Sequence, residues 1–133
     1  MARTAFENPR VCRLAEKLAD AIWDLVPTWD AFARATAGEQ PVAAADGIGA
    51  NIAEGSGRGS YKENRRFVRI ARGSLNETQH FLRRACCRKL MAEEHVAKLR
   101  PMIDELAPTL NAYPSSIGTR RRDTEDAQPC SGN

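Results

Sequence analysis

The sequence predicts an all-α protein, an antiparallel up-down four-helix bundle, and three observations support this prediction. Apolar residues recur at helical spacing in four segments, and no segment shows the alternating pattern of a β-strand. The links between the segments are short, so neighbouring helices bury their apolar faces most simply as an antiparallel bundle. The length of 133 residues suits a single domain.

The first helix is predicted to begin at Asn8-Pro9, because asparagine is a good N-cap and proline is tolerated at the first helical position. Its apolar stripe consists of Val11, Leu14, Ala15, Leu18, Ile22, Leu25 and Val26. Trp23 falls at the edge of this stripe, where it either lies flat over the rim of the core or contacts another chain. Pro27 is expected to end the helix.

The second helix is predicted over residues 37–55, with Thr36 and Glu39 as a capping box or with Pro41 in its first position. Its residues are almost all small, including Ala43, Ala44, Ala45, Gly47, Gly49, Ala50 and Ala53. A helix without a bulky polar face is usually buried on several sides. We therefore expect this helix to pack within the bundle and against a neighbouring subunit.

A cluster of glycines from Gly55 to Gly59 separates the second helix from the third. Gly55 is expected to take the left-handed conformation that ends the second helix. Ser60 and Glu63 form a capping box that opens the third helix, which is predicted over residues 61–90. The apolar stripe of this helix consists of Phe67, Ile70, Ala71, Ser74, Leu75, Thr78, Phe81, Leu82 and Ala85.

The fourth helix is predicted over residues 93–113, where Pro101 and Pro108 should kink or shorten it. Its apolar stripe consists of Val96, Leu99, Ile103, Leu106 and Leu110. Residues 114–133 are polar and lack periodicity, which predicts a disordered C-terminal tail. The chain therefore divides into a four-helix bundle at residues 1–113 and this tail.

Basic residues are concentrated in the third helix. Residues 60–90 contain nine Lys and Arg against two Glu, a net charge of +7, whereas the whole chain carries +3. A basic stripe of this kind is typical of nucleic-acid binding, because it neutralises phosphates without reading the base sequence. The candidate nucleic-acid-binding residues are Arg65, Arg69, Arg72 and Arg83. His80 is the only ring on their face, which favours contact with the backbone of a structured RNA, or of DNA, over base stacking.

The same arginines have a second interpretation. They are either solvated or paired with acidic residues. These acidic residues could be Glu16, Asp20 and Asp24 of the first helix, or they could belong to a neighbouring subunit. In that case the chain is a protein-interaction scaffold with no nucleic-acid role, and Trp23 is one of its contacts.

Nothing in the sequence indicates an enzyme, a cofactor or a metal site. The four cysteines form no C-x-x-C pair and only two histidines are present, so we expect free thiols rather than a zinc site. No set of nucleophile, base and orienting group can be assembled, and no small-molecule substrate is evident. Without a signal peptide or an apolar membrane span, the chain is expected to be cytoplasmic and to have no membrane contact.

One motif is distinctive. It consists of the stretch Asn51-Ile-Ala-Glu54-Gly55-Ser-Gly57-Arg58, followed by Glu63, Arg66, Phe67, Ile70, Ala71, Gly73, Ser74, Leu75 and Glu77. In this motif the chain resembles the four-helix-bundle family of bacterial large-subunit rRNA intervening-sequence proteins, most densely over residues 48–82. The family is similar to the accessory variability proteins of diversity-generating retroelements, which contact nucleic acid. The resemblance implies a ring-like homopentamer, a link to rRNA insertions and no established catalytic activity.

The residues of this motif also have a structural interpretation. Charges of alternating sign flank a tight turn at the three-residue spacing that places side chains on one helix face. We expect them to form a network of ion pairs and hydrogen bonds that fixes the corner between the second and third helices, either within one chain or at a subunit interface. The residues assigned to this structural or interface motif are Asn51, Glu54, Gly55, Arg58, Glu63, Arg66, Glu77 and Trp23. Gly73-Ser74 is expected to allow a close approach in the middle of the third helix.

Overall fold

The computed structural model describes the backbone of residues 9–125 and the side chains of residues 9–113. Its elements are α1 (Arg10–Leu25), a 3₁₀ turn (Val26–Thr28), α2 (Ala31–Ala33), a π-helical segment (Arg34–Gly38), α3 (Glu39–Ser56), α4 (Tyr61–Cys87) and α5 (Glu93–Glu125). Because α2, the π-helical segment and α3 follow one another without a break, they form one composite helix. The described residues therefore form four helices and no strand, which confirms the predicted all-α class. The antiparallel course stays a prediction.

Helix α1 follows its predicted apolar stripe. It begins at Arg10, and the Pro9 carbonyl accepts hydrogen bonds from the N–H groups of Cys12 and Arg13. The predicted cap, Asn8, lies outside the described residues. The buried residues of α1 are Val11, Cys12, Ala15, Leu18, Ala19, Ala21, Ile22 and Leu25.

The composite helix begins earlier than predicted. The Asp30 carboxylate accepts a hydrogen bond from the Ala33 N–H at 2.9 Å, so Asp30 is the N-cap. The predicted capping box at Thr36 is wrong, because the Thr36 hydroxyl lies inside the helix and donates to the Phe32 carbonyl at 2.7 Å. A short polar residue before Ala31 was the sequence feature that could have shown the true start.

The prediction of a helix start at Pro41 is also wrong, since Pro41 is buried inside α3. Pro41 offers no N–H to the Ala37 carbonyl, which lies in the π-helical segment, where the chain already departs from α-helical hydrogen bonding. This segment packs closely on the 3₁₀ turn, because a Cβ on Gly38 would lie only 2.6 Å from Cγ1 of Val26. The π-helical segment thus accommodates Pro41 and brings the start of the composite helix against the end of α1.

The link between α3 and α4 has one predicted feature and one that differs. The Ser60 hydroxyl accepts a hydrogen bond from the Glu63 N–H at 3.1 Å, which confirms Ser60 as the cap of α4. Gly55 is not the left-handed residue, since it is buried within α3. Gly59 takes that conformation instead, with φ of 81°. The helix therefore continues past Gly55, whose lack of a side chain serves packing.

Helix α5 does not end at its prolines. It runs from Glu93 to Glu125, through the exposed Pro101 and Pro108, so the predicted shortening is wrong. Both prolines face solvent, where water can satisfy the carbonyls that lose their intrahelical donors. The backbone of residues 114–125 continues the helix, and residues 126–133 lie outside the described part of the chain. The predicted division of the chain at residue 113 stays a prediction.

The link between α4 and α5 is closed by a left-handed residue that is not glycine. Lys89 has φ of 61°. The Leu90 N–H donates to the Ala85 carbonyl at 2.9 Å, and the Lys89 N–H donates to the Cys86 carbonyl at 3.0 Å. These two bonds are those of a Schellman motif, which satisfies the carbonyls at the end of α4.

One hydrophobic core draws on all four helices. The α5 residues that are buried in it are Leu99, Leu106 and Leu110, in agreement with the predicted stripe. Ile70 departs from the prediction, because 42% of its side chain is exposed. Helices α3 and α4 approach closely at Gly47, where an added Cβ would lie 3.3 Å from the Ser74 hydroxyl. Of the predicted approach point Gly73-Ser74, only Ser74 makes this contact, and it does so with Gly47. Gly73 is exposed, and no described atom lies within 4 Å of a Cβ added to it.

Candidate nucleic-acid interface

Most of the basic residues of α4 lie on its solvent-exposed side. Its buried residues are Asn64, Phe67, Val68, Ala71, Ser74, Leu75, Thr78, Leu82 and Ala85. At about 100° per residue, these positions share one face of the helix. The rest of the surface of α4 is therefore available to charged side chains.

Four of the basic residues form one narrow stripe, which we call the basic arc: Arg65, Arg69, Arg72 and Arg83. At about 100° per residue they fall within roughly 60° of the helix circumference. Arg65, Arg69 and Arg83 are exposed and Arg72 is half-buried. Neither of the two acidic residues of α4, Glu63 and Glu77, falls within the basic arc.

Asp20 and Asp24 of α1 do not form ion pairs with the arginines of the basic arc. Neither Asp20 nor Asp24 forms an ion pair with a described residue, and no ion pair within residues 9–113 involves Arg69 or Arg72. Arg65 stacks its guanidinium 5.5 Å from the centre of the Tyr61 ring, which leaves its charge uncompensated. Within one chain, the basic arc is thus open to an external anion.

The opposite flank of α4 begins at the α3–α4 corner, which we define as residues 54–67. Here two ion pairs form, each within a few residues along the chain. Arg58 Nε lies 3.0 Å from a Glu54 carboxylate oxygen, and Arg66 Nη1 lies 3.8 Å from a Glu63 carboxylate oxygen. No ion pair described in this corner joins one helix to the other.

The contact that does cross the α3–α4 corner is made by an aromatic ring. The guanidinium carbons of Arg58 and Arg66 each lie 4.9 Å from the centre of the Phe67 ring. Both arginines therefore make cation–π contacts with one side chain while each pairs with a glutamate. The alternating charges of the sequence motif orient these arginines on Phe67.

Close backbone packing completes the corner. A Cβ on Gly55 would lie 2.8 Å from the Phe67 Cβ and 3.2 Å from the Asn64 carbonyl oxygen, so only glycine fits without a shift. Asn64 itself is 5% exposed, and its side-chain oxygen has no hydrogen-bond partner among the described residues. No pattern in the sequence indicates that this asparagine is buried.

Three residues of the predicted motif lie apart from these contacts. The Asn51 side chain donates to the Gly47 carbonyl at 2.7 Å within its own helix. The Glu77 side chain makes no hydrogen bond or ion pair with another described residue. Trp23 lies on α1 with 65% of its side chain exposed, so it does not lie flat over the core of its own chain. Its role as an interface residue stays a prediction.

Other reactive groups are scattered. Within the described residues, no three His, Cys, Asp or Glu side chains come together as ligands for a metal ion. Cys86 and Cys87 are exposed thiols at the end of α4, whereas Cys12 is buried in α1. Burial, with a smaller contribution from the charge of Glu16, raises the pKa of the Cys12 thiol to about 11. Over the described part of the chain, no helix is both long and apolar enough to cross a membrane.

Two aromatic residues near the end of α4 were missed as functional candidates. Trp29 is 4% exposed and its Nε1 has no hydrogen-bond partner among the described residues, while Phe32 is 77% exposed. Trp29 lies in the link between the 3₁₀ turn and the composite helix, and Phe32 lies in the first turn of that helix. Both line clefts that also contain Arg88. No local pattern in the sequence brings them to α4, because their position depends on the π-helical segment.

Comparison with known proteins gives one result. Residues 7–112 match the family model described as 23S rRNA-intervening sequence protein. No curated protein matches the chain. The matched range covers α1, the composite helix, α4 and much of α5, and it includes the basic arc and the α3–α4 corner.

Proposed function

Because the chain belongs to the 23S rRNA-intervening sequence protein family, we propose that it is a non-enzymatic, homo-oligomeric protein that binds structured RNA through the basic arc of α4. The observation that carries this proposal is the arc itself. Four arginines share one narrow face, without an acidic residue of α4 among them. Such a surface attracts a phosphate backbone and gains free energy by releasing its counterions.

Backbone contact suits the arc better than base recognition. Arginines along about 27 Å of helix, estimated from 18 residues at 1.5 Å each, can meet several phosphates of one RNA. Phosphate contacts fix the position of a protein on nucleic acid without reading the base sequence. A double-stranded RNA region is recognised mostly through its shape and backbone, which is the kind of ligand this arc accepts.

The proposed assembly is an antiparallel bundle that forms a homopentamer in the cytoplasm. The number five rests on the family resemblance alone. Self-association is supported by large apolar side chains left exposed on one chain, namely Trp23 and Ile70. It is also supported by α3, which exposes Ala43, Ala50 and Ala53 on one face. Sedimentation that gives the mass of one chain at high concentration would contradict the assembly.

The RNA-binding proposal is tested by reversing the charge of the arc. The variant Arg65→Glu/Arg69→Glu/Arg72→Glu is expected to bind a structured rRNA fragment on the order of 10- to 100-fold more weakly, because three phosphate contacts become repulsive. Fluorescence anisotropy with labelled RNA measures the affinity.

A matched control separates local from overall charge. The variant Lys17→Glu/Lys98→Glu/Arg100→Glu changes three exposed residues of α1 and α5 and alters the net charge by the same amount. Its affinity should fall much less than that of the arc variant. Equal losses in both variants, or no loss in the arc variant, would contradict the proposal.

The second candidate function is a protein-interaction scaffold with no nucleic-acid role. It is favoured by the same exposed apolar residues and by a glycine, Gly73, that has an open environment on α4. Under this function the arc variant should dissociate the oligomer, and the wild type should not bind RNA even at low salt. Sedimentation of the arc variant beside its RNA affinity therefore distinguishes the two functions.

A further inference from the structure

Two adjoining clefts lie where the composite helix begins and α4 ends. The first has a volume of about 290 Å³ and the second of about 510 Å³. They share Thr36, Ala37 and Arg88 as lining residues. These volumes are comparable with small-ligand sites, which measure roughly 300–1,000 Å³.

The polar groups of the first cleft suit an anion. Arg84 and Arg88 stand four residues apart at the end of α4, so their side chains are neighbours on one face. Neither forms an ion pair with a described residue, and no carboxylate lines this cleft. His80 and Gln40 add further hydrogen-bonding groups. Guanidinium groups donate in a planar fork that fits the oxygens of a phosphate.

A buried donor in the first cleft lacks an acceptor. Trp29 lines the cleft, and its Nε1 is buried with no hydrogen-bond partner among the described residues. The indole N–H only donates, and leaving a buried donor unpaired is costly, so buried polar groups are rarely without partners. An oxygen of a bound anion is the kind of acceptor that this group lacks.

The second cleft adds an apolar ring beside the anion-binding groups. Phe32 lines it with 77% of its side chain exposed. The carboxylate of this cleft, Asp30, is engaged by the Ala33 N–H as the cap of the composite helix. An exposed aromatic ring next to a cationic cleft offers a surface on which a nucleobase can stack.

The π-helical segment builds this arrangement. Thr36 and Ala37 belong to it and line both clefts. A π-helical turn is wider than an α-helical one, and such turns occur frequently at functional sites. Here the π-helical segment places the part of the chain between Phe32 and Gln40 beside the end of α4.

From these observations we propose that the two clefts form a nucleotide-binding site. Arg84, Arg88 and the Trp29 N–H bind the phosphate, and the Phe32 ring stacks on the base. The nucleotide is either free or an unpaired residue of an RNA, since both present the same groups. This site goes beyond the proposed function, because Arg84 and Arg88 lie roughly 100° or more around α4 from the Arg65 position of the basic arc. A nucleotide can therefore bind whether or not the arc contacts RNA.

Calorimetry with adenosine monophosphate, adenosine and inorganic phosphate tests the site on the full chain. Adenosine monophosphate should bind at least tenfold more tightly than adenosine or phosphate alone. The variant Arg84→Gln/Arg88→Gln should lose at least tenfold of this affinity. The variant Phe32→Ala should lose severalfold for adenosine monophosphate and leave phosphate binding unchanged. All three altered side chains are exposed, so circular dichroism should show an unchanged helical content.

The matched control is Arg65→Gln/Arg69→Gln, which removes the same charge from the basic arc. It should bind adenosine monophosphate as the wild type does. A cleft variant that binds adenosine monophosphate like the wild type, or a control that loses as much affinity as the cleft variant, would overturn the site.

An RNA duplex with one unpaired adenosine, compared with the fully paired duplex, identifies the source of the nucleotide. A severalfold preference for the unpaired adenosine that Arg84→Gln/Arg88→Gln abolishes supports the site and assigns it to RNA. Binding of adenosine monophosphate without this preference supports the site and assigns it to a free nucleotide.

Failure of this site and failure of the proposed function are distinguishable. If neither adenosine monophosphate nor the unpaired adenosine is bound through Arg84 and Arg88, the site is overturned. Binding of the paired duplex through Arg65 and Arg69 would then still support the proposed function. Conversely, binding of adenosine monophosphate without any duplex binding supports the site and contradicts the proposed function.

Discussion

The two ends of α4 carry similar positive charge but hold it differently. At the α3–α4 corner, Arg58 and Arg66 each pair with a glutamate and both contact the Phe67 ring. At the other end, Arg84 and Arg88 line a cleft that contains no carboxylate of residues 9–113. The difference shows that arginine content alone does not define a binding surface. Arg58 and Arg66 each have a glutamate three or four residues away and are held within the chain, whereas Arg84 and Arg88 have no such neighbour.

The two ends also differ in what stabilises them. The ion pairs of the α3–α4 corner are exposed, and exposed pairs contribute little, typically about 0–1 kcal/mol. The corner depends instead on the close contact of Gly55 with α4. The C-terminal end of α4 is closed by backbone hydrogen bonds around the left-handed Lys89, which leaves its side chains free for other contacts.

The largest expected contrast concerns cysteine reactivity, since the open end of α4 exposes Cys86 and Cys87 while α1 buries Cys12. Burial raises the pKa of Cys12 from its ordinary value of 9.0 to about 11, so roughly 0.1% of this thiol is thiolate at pH 8. Iodoacetamide should therefore alkylate Cys86 and Cys87 at least about 100-fold faster than Cys12, as measured by peptide mapping with mass spectrometry. Equal rates in the native protein would contradict the burial of Cys12.

The same pKa shift has a consequence for stability. The folded chain holds the Cys12 proton more tightly than the unfolded chain does. The protonated thiol therefore contributes to the free energy of unfolding, and this contribution is fully present below pH 9. It should be lost as the pH rises from 9 towards 11. Urea unfolding across this range, compared with Cys12→Ala, isolates the contribution.

Next in size is the effect of adding one methyl group at Gly55. Gly55→Ala should lower the free energy of unfolding by about 1–3 kcal/mol, because the new Cβ meets the Asn64 carbonyl and the Phe67 Cβ. The matched control is Gly73→Ala on the exposed side of α4, where nothing lies within 4 Å. It should raise the free energy of unfolding by up to about 1 kcal/mol through helix propensity. Urea unfolding measures both, and equal effects would contradict the packing of the α3–α4 corner.

The smallest effect is expected at Arg58. Arg58→Gln removes one exposed ion pair and one cation–π contact, so the free energy of unfolding should fall by only about 0.5–1 kcal/mol. The double variant with Glu54→Gln should cost little more, since the pair is already broken. A loss of several kcal/mol in the single variant would show that the charges, and not Gly55, hold the corner.

Much of the fold could be predicted because it depends on local patterns. Apolar spacing gave the four helices, and the Ser60 hydroxyl caps α4 as its capping box indicated. The start of the composite helix was misplaced, because Pro41 on its own indicates a helix start and outweighed the cap signal of Asp30. The position of Pro41 inside a helix depends on the π-helical segment and on the packing of Gly38 against Val26.

The candidate site was predictable where it lies on one helix and not where it joins two. The basic arc follows from the spacing of arginines along α4, and the structure leaves that spacing unchanged. The contact of Gly55 with Phe67, by contrast, depends on how α3 meets α4, and the sequence suggested a turn there. The clefts at Trp29 and Phe32 join residues about 50 positions from Arg84, a distance over which periodicity carries no information.

The most direct test of RNA binding by the basic arc is the affinity of the wild-type protein for a structured rRNA fragment across a series of salt concentrations. Four arginines that each neutralise one phosphate predict a slope of log affinity against log salt of about −3 to −4. Near physiological salt the dissociation constant should lie roughly between 10⁻⁴ and 10⁻⁶ M, the range of binding that does not read the base sequence. A flat dependence, or no binding at low salt, would contradict the account and favour the scaffold function.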